Sequence, residues 1–308
     1  MVLTMLAGCS YSRAIPIGVP SIIQPRDGHA TAIPNSLETC SAAAGSPFHF
    51  RKSVLVAGTI GLPVLARDLP GLPPVTSRRL QAHLEALGSF NVSAMHDSSF
   101  ESASPSAAAR VRELGRDYEA QFVVKVDIED LTINANGGLI SNLLGRGDER
   151  NILLRLSVFD TEHGVLFYTD QLQHIVTGDV VGFPGNGNSV TNSWFETDLG
   201  KQIDKMLKTM SMQINETLAC VPFSTQVTSV RDNQLRIAAG FRHGVRPGET
   251  LRAYPSGNLL QISSTSAGEP RQVWIRVNSV YPNHSTATVS EGTLSGSGLA
   301  TGDVVRAW

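Results

Sequence analysis

Long apolar runs are missing from this chain. None approaches the roughly 20 residues that a helix needs to cross a bilayer, so any membrane link has to come from the N-terminus. Lysine is scarce, with five against twenty arginines, and the net charge of −2 over 308 residues leaves no basic footprint for nucleic acid. There are three cysteines, Cys9, Cys40 and Cys220. They form neither a Cys-x-x-Cys nor a Cys/His cluster, so metal binding has no support and no cofactor is expected. Also absent are Gly-x-Ser-x-Gly, a phosphate-binding loop, His-Glu-x-x-His and an EF-hand. Asp127 and Glu129 alternate onto one face of a predicted strand. General acid–base work would also need a cleft and a perturbed pKa, and the pair reads as the solvent side of a strand. The chain is therefore read as a structural or docking module rather than an enzyme.

Leu6-Ala7-Gly8-Cys9 closes the short apolar start of the chain. It resembles the bacterial lipobox, in which the cysteine is acylated and becomes the mature N-terminus. That resemblance implies lipid on Cys9 and residence at the outer membrane, facing the periplasm. Ser10, rather than Asp, after the cysteine resembles the outer-membrane sorting signal. A signal peptide also needs a basic n-region and a longer apolar core, and the eight residues before Cys9 hold neither, which points to a start further upstream. With Cys9 lipidated, Cys40 and Cys220 remain as an even pair. In an oxidising compartment such a pair suggests a disulfide. It would close a loop of about 180 residues, for which chain entropy gives about 5 kcal/mol.

Four segments follow from composition and pattern. Residues 1–9 read as a signal remnant. Residues 10–46, rich in Pro, Ser, Ala and Gly, read as a flexible tether with a mean reach of roughly 30–36 Å. Residues 47–222 read as an α/β domain and residues 223–308 as a small all-β barrel, so the fold class is α+β. In the α/β part, strands are predicted at 54–58, 90–94, 121–131, 151–159 and 165–176, the last two joined as a hairpin by Asp160-Thr161-Glu162-His163-Gly164. Leu69 to Pro74 reads as a loop. Thr76 or Ser77 would cap a helix whose apolar stripe is Leu80, His83, Leu84 and Leu87, ending at Gly88. A second helix is predicted at 106–118. A third, at 196–218, has Leu199, Ile203, Met206, Leu207, Met210, Ile214 and Leu218 at steps of three and four. Glycine-rich loops fill 134–149 and 178–192.

After Val227 the pattern is strand upon strand, at 226–230, 234–239, 249–254, 272–280, 286–290 and 303–308. Within it Gly244-Val-Arg-Pro-Gly-Glu-Thr-Leu251 is echoed by Gly298-Leu-Ala-Thr-Gly-Asp-Val-Val305. Glycines permit positive φ in a tight turn, and the acid can accept backbone N–H groups as the strand begins. This half carries a net charge of +3 and the rest −5, a mild asymmetry that reads first as a plain solvated surface, though docking between subunits would use it.

Several stretches together resemble the flagellar assembly protein T family. They are Ser53 to Gly58, Arg112 to Leu131, Leu154 to Gln173, and above all Cys220-Val-Pro-Phe through Gln234-Leu-Arg-Ile-Ala-Ala-Gly-Phe-Arg-His-Gly-Val-Arg-Pro-Gly-Glu. The resemblance covers residues 48–308, the family's middle and C-terminal domains, with the tether standing where the family has a further N-terminal domain. It implies a middle domain similar to the N-terminal domain of the Tol translocation protein B. It also implies a structural role in the outer (H-type) ring of the bacterial flagellar basal body. The partners would be other ring proteins, further copies of the chain in a homo-oligomeric ring and, through the lipid, the outer membrane. A general outer-membrane lipoprotein adaptor for another envelope complex is the alternative.

Overall fold

β1 (Lys52–Ala57) is buried along its whole length, as an apolar strand covered on both faces of a sheet should be. The computed structural model describes residues 49–61, 69, 71–95, 100, 101, 104, 106–134, 149–177, 192–231, 234–255 and 272–307. Cys9, Cys40, the tether as far as 46 and all but the edges of the two glycine-rich loops lie outside the described residues.

β1 is flanked by two parallel strands, β2 (Phe90–Met95) and β3 (Phe122–Asp130). Helix α1 (Leu72–Leu87) links β1 to β2, and α2 (Ala107–Asp117) links β2 to β3. The second crossover runs back past β1, so right-handed connection puts α2 on the face opposite α1. The two cores reflect this. Val54, Val56, Leu80, Leu84 and Val124 belong to one, while Leu55, Ala57, Val111, Leu114 and Val123 belong to the other. β5 (Glu149–Asp160) then pairs antiparallel with β3, and β6 (Val165–Thr177) pairs antiparallel with β5. A two-residue strand, β4 (Ile133–Asn134), extends the β3 side of β5. The sheet order is β2-β1-β3-β5-β4, with β6 on the free side of β5.

Three readings of α1 are corrected. The helix starts at Leu72, so Pro73 and Pro74 lie in its first turn rather than in a loop. Proline is tolerated there because first-turn N–H groups have no intrahelical acceptor. Thr76 and Ser77 are not caps. They are buried one turn in, where Thr76 Oγ1 donates to Leu72 O at 2.9 Å and Ser77 Oγ to Pro74 O at 3.1 Å. His83 likewise leaves the apolar stripe. Its Nε2 lies 2.7 Å from Asp204 Oδ1, which also accepts from Arg79 Nε at 2.6 Å. Burial pushes the Asp204 carboxyl up, but the hydrogen bonds from Arg79 and His83 outweigh it and hold the group below the usual range.

Asp204 sits on α3 (Asp198–Ala219), the long helix, which is capped by Thr197 Oγ1 accepting from Gly200 N at 3.1 Å. Its seven predicted apolar residues are all buried against the α1 side of the sheet. Cys220 follows it directly and takes part in a disulfide.

The barrel closes in the order β10-β11-β8-β7-β12-β9. Its strands are β7 (Phe223–Arg231), β8 (Gln234–Ile237), β9 (Thr250–Tyr254), β10 (Val273–Val280), β11 (Ser285–Val289) and β12 (Val304–Ala307). Bulges near Thr228 and Asn278 bend the two longest strands. The sequence echo is a repeated device. Gly244, Gly248, Gly298 and Gly302 all have φ between 74° and 95°. Glu249 Oε2 accepts from Arg246 N at 2.9 Å, as Asp303 Oδ2 accepts from Ala300 N at 2.7 Å. A short helical turn precedes each copy, Phe241–His243 in one and Leu294–Ser297 in the other. The strands so entered, β9 and β12, are neighbours.

The two copies differ in surroundings, and this is measurable. A Cβ at Gly302 would meet nothing within 4 Å, whereas one at Gly244 would lie 2.0 Å from His49 O. Gly302→Ala is expected to cost about 1 kcal/mol of stability from backbone strain alone. Gly244→Ala is expected to cost about 2 kcal/mol or more, because backbone must also move. Urea midpoints at an unchanged m-value read the difference.

Candidate functional site: the seam between sheet domain and barrel

The seam begins at Gln121, the residue before β3. Its Nε2 donates to Pro222 O at 2.7 Å, and its Oε1 accepts from Ser224 N at 3.1 Å. One amide therefore holds the backbone on both sides of Phe223, the first residue of the barrel. Phe223 points into the barrel core. Phe50, which precedes β1, stacks on it at 5.2 Å and 15° and packs against the same core. The segment entering the first domain thus covers part of the second. His49 Nε2 lies within hydrogen-bond distance of Glu249 Oε1, at 2.5 Å, and Arg51 N donates to His243 O at 2.8 Å.

His243 is the buried polar centre of this strip, 3% exposed. Gly240 N donates to its Nδ1 at 3.2 Å, and the Asn91 amide of β2 lies 2.9 Å from its Nε2. A neutral ring that accepts at Nδ1 carries its proton on Nε2; Asn91 Nδ2 is the amide atom placed beside it, and turning that amide over sets its oxygen where it accepts the proton. Burial, and then the charge of Arg242, lower its pKa from the ordinary 6.5 to about 4. No local pattern marks His243, because Asn91 lies 152 residues away and Gly240 meets the ring only through the turn.

On the far side of the seam Arg306 of β12 reaches the hairpin turn, with Nη2 3.0 Å from both carboxylate oxygens of Glu162. Its guanidinium also lies over the Tyr254 ring at 5.3 Å. Thr161 in the same turn donates to Ala120 O at 2.6 Å, so the turn is fixed to the start of β3. Between these contacts lies a cleft of about 290 Å³, lined by Arg116, Glu119, Phe167, Val221, Gln226 and Arg306 among others. Among the described residues Glu119 is the non-glycine residue with positive φ, at 51°.

The carboxylates named from sequence are individually occupied. Asp127 faces buried Lys125 at 3.0 Å and accepts from Ile60 N, while Glu129 pairs with Arg155 at 2.6 Å and accepts from Gln171. Lys52, at the start of β1, is 9% exposed, and burial lowers its pKa to about 8. Among the described residues no three His, Cys, Asp or Glu side chains gather as a metal site, and no helix is long and apolar enough to cross a membrane. Of the expected site residues, Cys220 stands beside the seam, while Cys9 and Cys40 lie outside the described residues.

No family model matches the chain, and no curated protein matches it. Solved structures of similar shape include a PelC dodecamer from Paraburkholderia phytofirmans, 13% identical over 55% of this chain and 88% of that one, with a TM-score of 0.33. Lipoprotein GNA1162 from Neisseria meningitidis is 10% identical over 53% of this chain and 97% of that one, at 0.31. TolB from Acinetobacter baumannii is 10% identical over 73% of this chain and 44% of that one, at 0.28. At such scores these likenesses carry no argument about function. The resemblance to the flagellar assembly protein T family rests on its sequence motifs.

The seam has a pH signature. Between pH 6.5 and 4 the unfolded chain protonates at residue 243 and the folded chain does not. The stability that His243 contributes is therefore complete above 6.5 and falls as pH drops toward 4. Between pH 7 and pH 5 the loss amounts to about 2 kcal/mol. Urea unfolding of the parent and of His243→Gln at the two pH values should show the parent losing more by that amount.

Proposed function

We propose that this protein is a non-enzymatic structural component of a bacterial envelope assembly, and more specifically of the outer ring of the flagellar basal body. The observation that carries the reading is the seam. Gln121, Phe50 with Phe223, Asn91 with His243 and Glu162 with Arg306 fix two unlike domains against each other. A fixed two-domain body suits a scaffold piece that must present several surfaces at constant spacing. The motif Cys220-Val-Pro-Phe, which starts the resemblance to the flagellar family, is the segment that Gln121 holds, so the most family-like stretch is also the one that sets the domain geometry.

In this reading lipid on Cys9 holds the chain at the outer membrane, the tether spaces the body from it, and a Cys40–Cys220 bridge staples the tether's end to the seam. Ring neighbours and further copies of the chain are the partners.

Images of basal bodies from parent and deletion cells test the proposal. Density missing at the outer ring, with lost motility and intact export, is the expected result. A complete ring in swimming deletion cells would move the protein to a different envelope assembly as an adaptor. Mass spectrometry of the mature N-terminus and non-reducing peptide maps check Cys9 and the Cys40–Cys220 pair separately.

A further inference from the structure

β6 pairs with β5 along one side, and its other side has no partner strand among the described residues. The strand has 13 residues and is about 44 Å long. Sheet edges are usually guarded by lysine, proline or shortness. Val-Leu-Phe-Tyr-Thr-Asp-Gln-Leu-Gln-His-Ile-Val-Thr, residues 165–177, has no Lys, Arg or Pro. Its one carboxylate, Asp170, is held by Gln213 of α3 at 2.7 Å. Its one bulge, at Phe167, leaves Tyr168 to Thr177 in regular register. Val165, Leu166 and Ile175 are half exposed, at 50%, 51% and 53%. Met212, 43% exposed, neighbours Gln213 on the helix.

We propose that β6 pairs antiparallel with β6 of a second copy, about a two-fold axis at Gln171, so that two sheets become one. This register spans all 13 residues, with Tyr168 to His174 in unbroken pairing and the bulge at Phe167 falling opposite Ile175. It sets Leu166 opposite Val176, Phe167 opposite Ile175, Tyr168 opposite His174 and Asp170 opposite Leu172, so no two like charges face each other directly. The contact is self-complementary, as an isologous interface must be. The other free edge, β2, has six residues, and Asn91 among them already meets the barrel, so it matches less than half of β6. A strip about 44 Å by about 10 Å buries about 450 Å² per partner, or about 900 Å² in all, at the weak end of specific interfaces. The proposal goes beyond the ring reading and stands without it, since such a pair forms in solution whatever it is later built into.

Sedimentation equilibrium of the full chain at about 1–200 μM should give a reversible monomer–dimer equilibrium. Gln171→Lys sets two ammonium groups against each other on the axis and should weaken it about fivefold. Gln171→Cys should cross-link to a dimer under mild oxidation, above the background of the parent. Gln173→Cys should not, because its partner's residue 173 lies four positions away, about 13 Å along the strand. Circular dichroism checks that each variant is folded. A monomer throughout the range, a dimer indifferent to Gln171→Lys, or cross-linking of both cysteine variants alike would overturn the proposal.

Discussion

The side chain of Gln121 gives its donor to one peptide group and its acceptor to another, on either side of Phe223. Both groups belong to the passage from α3 into β7, and both would otherwise lack a partner from regular structure. Where Phe223 lies, Phe50 stacks. Where Phe50 lies, the segment from His49 to Arg51 is close enough to meet Glu249 and His243. The relative placement of sheet and barrel thus follows from one amide and one ring pair, and the remaining seam contacts tighten it. Hydrogen bonds of this kind contribute about 1 kcal/mol each, so no single one is decisive while their geometry is.

Much of the architecture was legible because its causes are local. Alternation gave β2, β3, β5 and β6, and the steps of three and four gave α3. The repeated glycines identified the entries to β9 and β12, since positive φ is a demand that one residue type meets easily. The errors were also local in origin. Pro73 and Pro74 suggested a loop, although a helix's first turn accepts proline. His83 fell in the apolar stripe by spacing, although a carboxylate on α3 was waiting for it. β4 is too short to leave a pattern.

The site was less legible. Gln121 and Ser224 are 103 residues apart, Asn91 and His243 152, and Glu162 and Arg306 144. Nothing in a single sequence marks such pairs, because each member looks like an ordinary surface polar residue. The depressed His243 pKa is likewise a property of its enclosure and not of its neighbours in the chain.

The strip from His49 to Arg51 has a consequence in time. His49 belongs by sequence to the leader of the first domain, yet its partner Glu249 is 200 residues further along. A chain that emerges N-terminus first, at about 5–20 residues per second, makes the strip about 10–40 s before anything exists to cover it. The sheet can assemble meanwhile, but the ring of Phe50 has no resting place until β7 is made. The first described residues of the chain are among the last to find their seat.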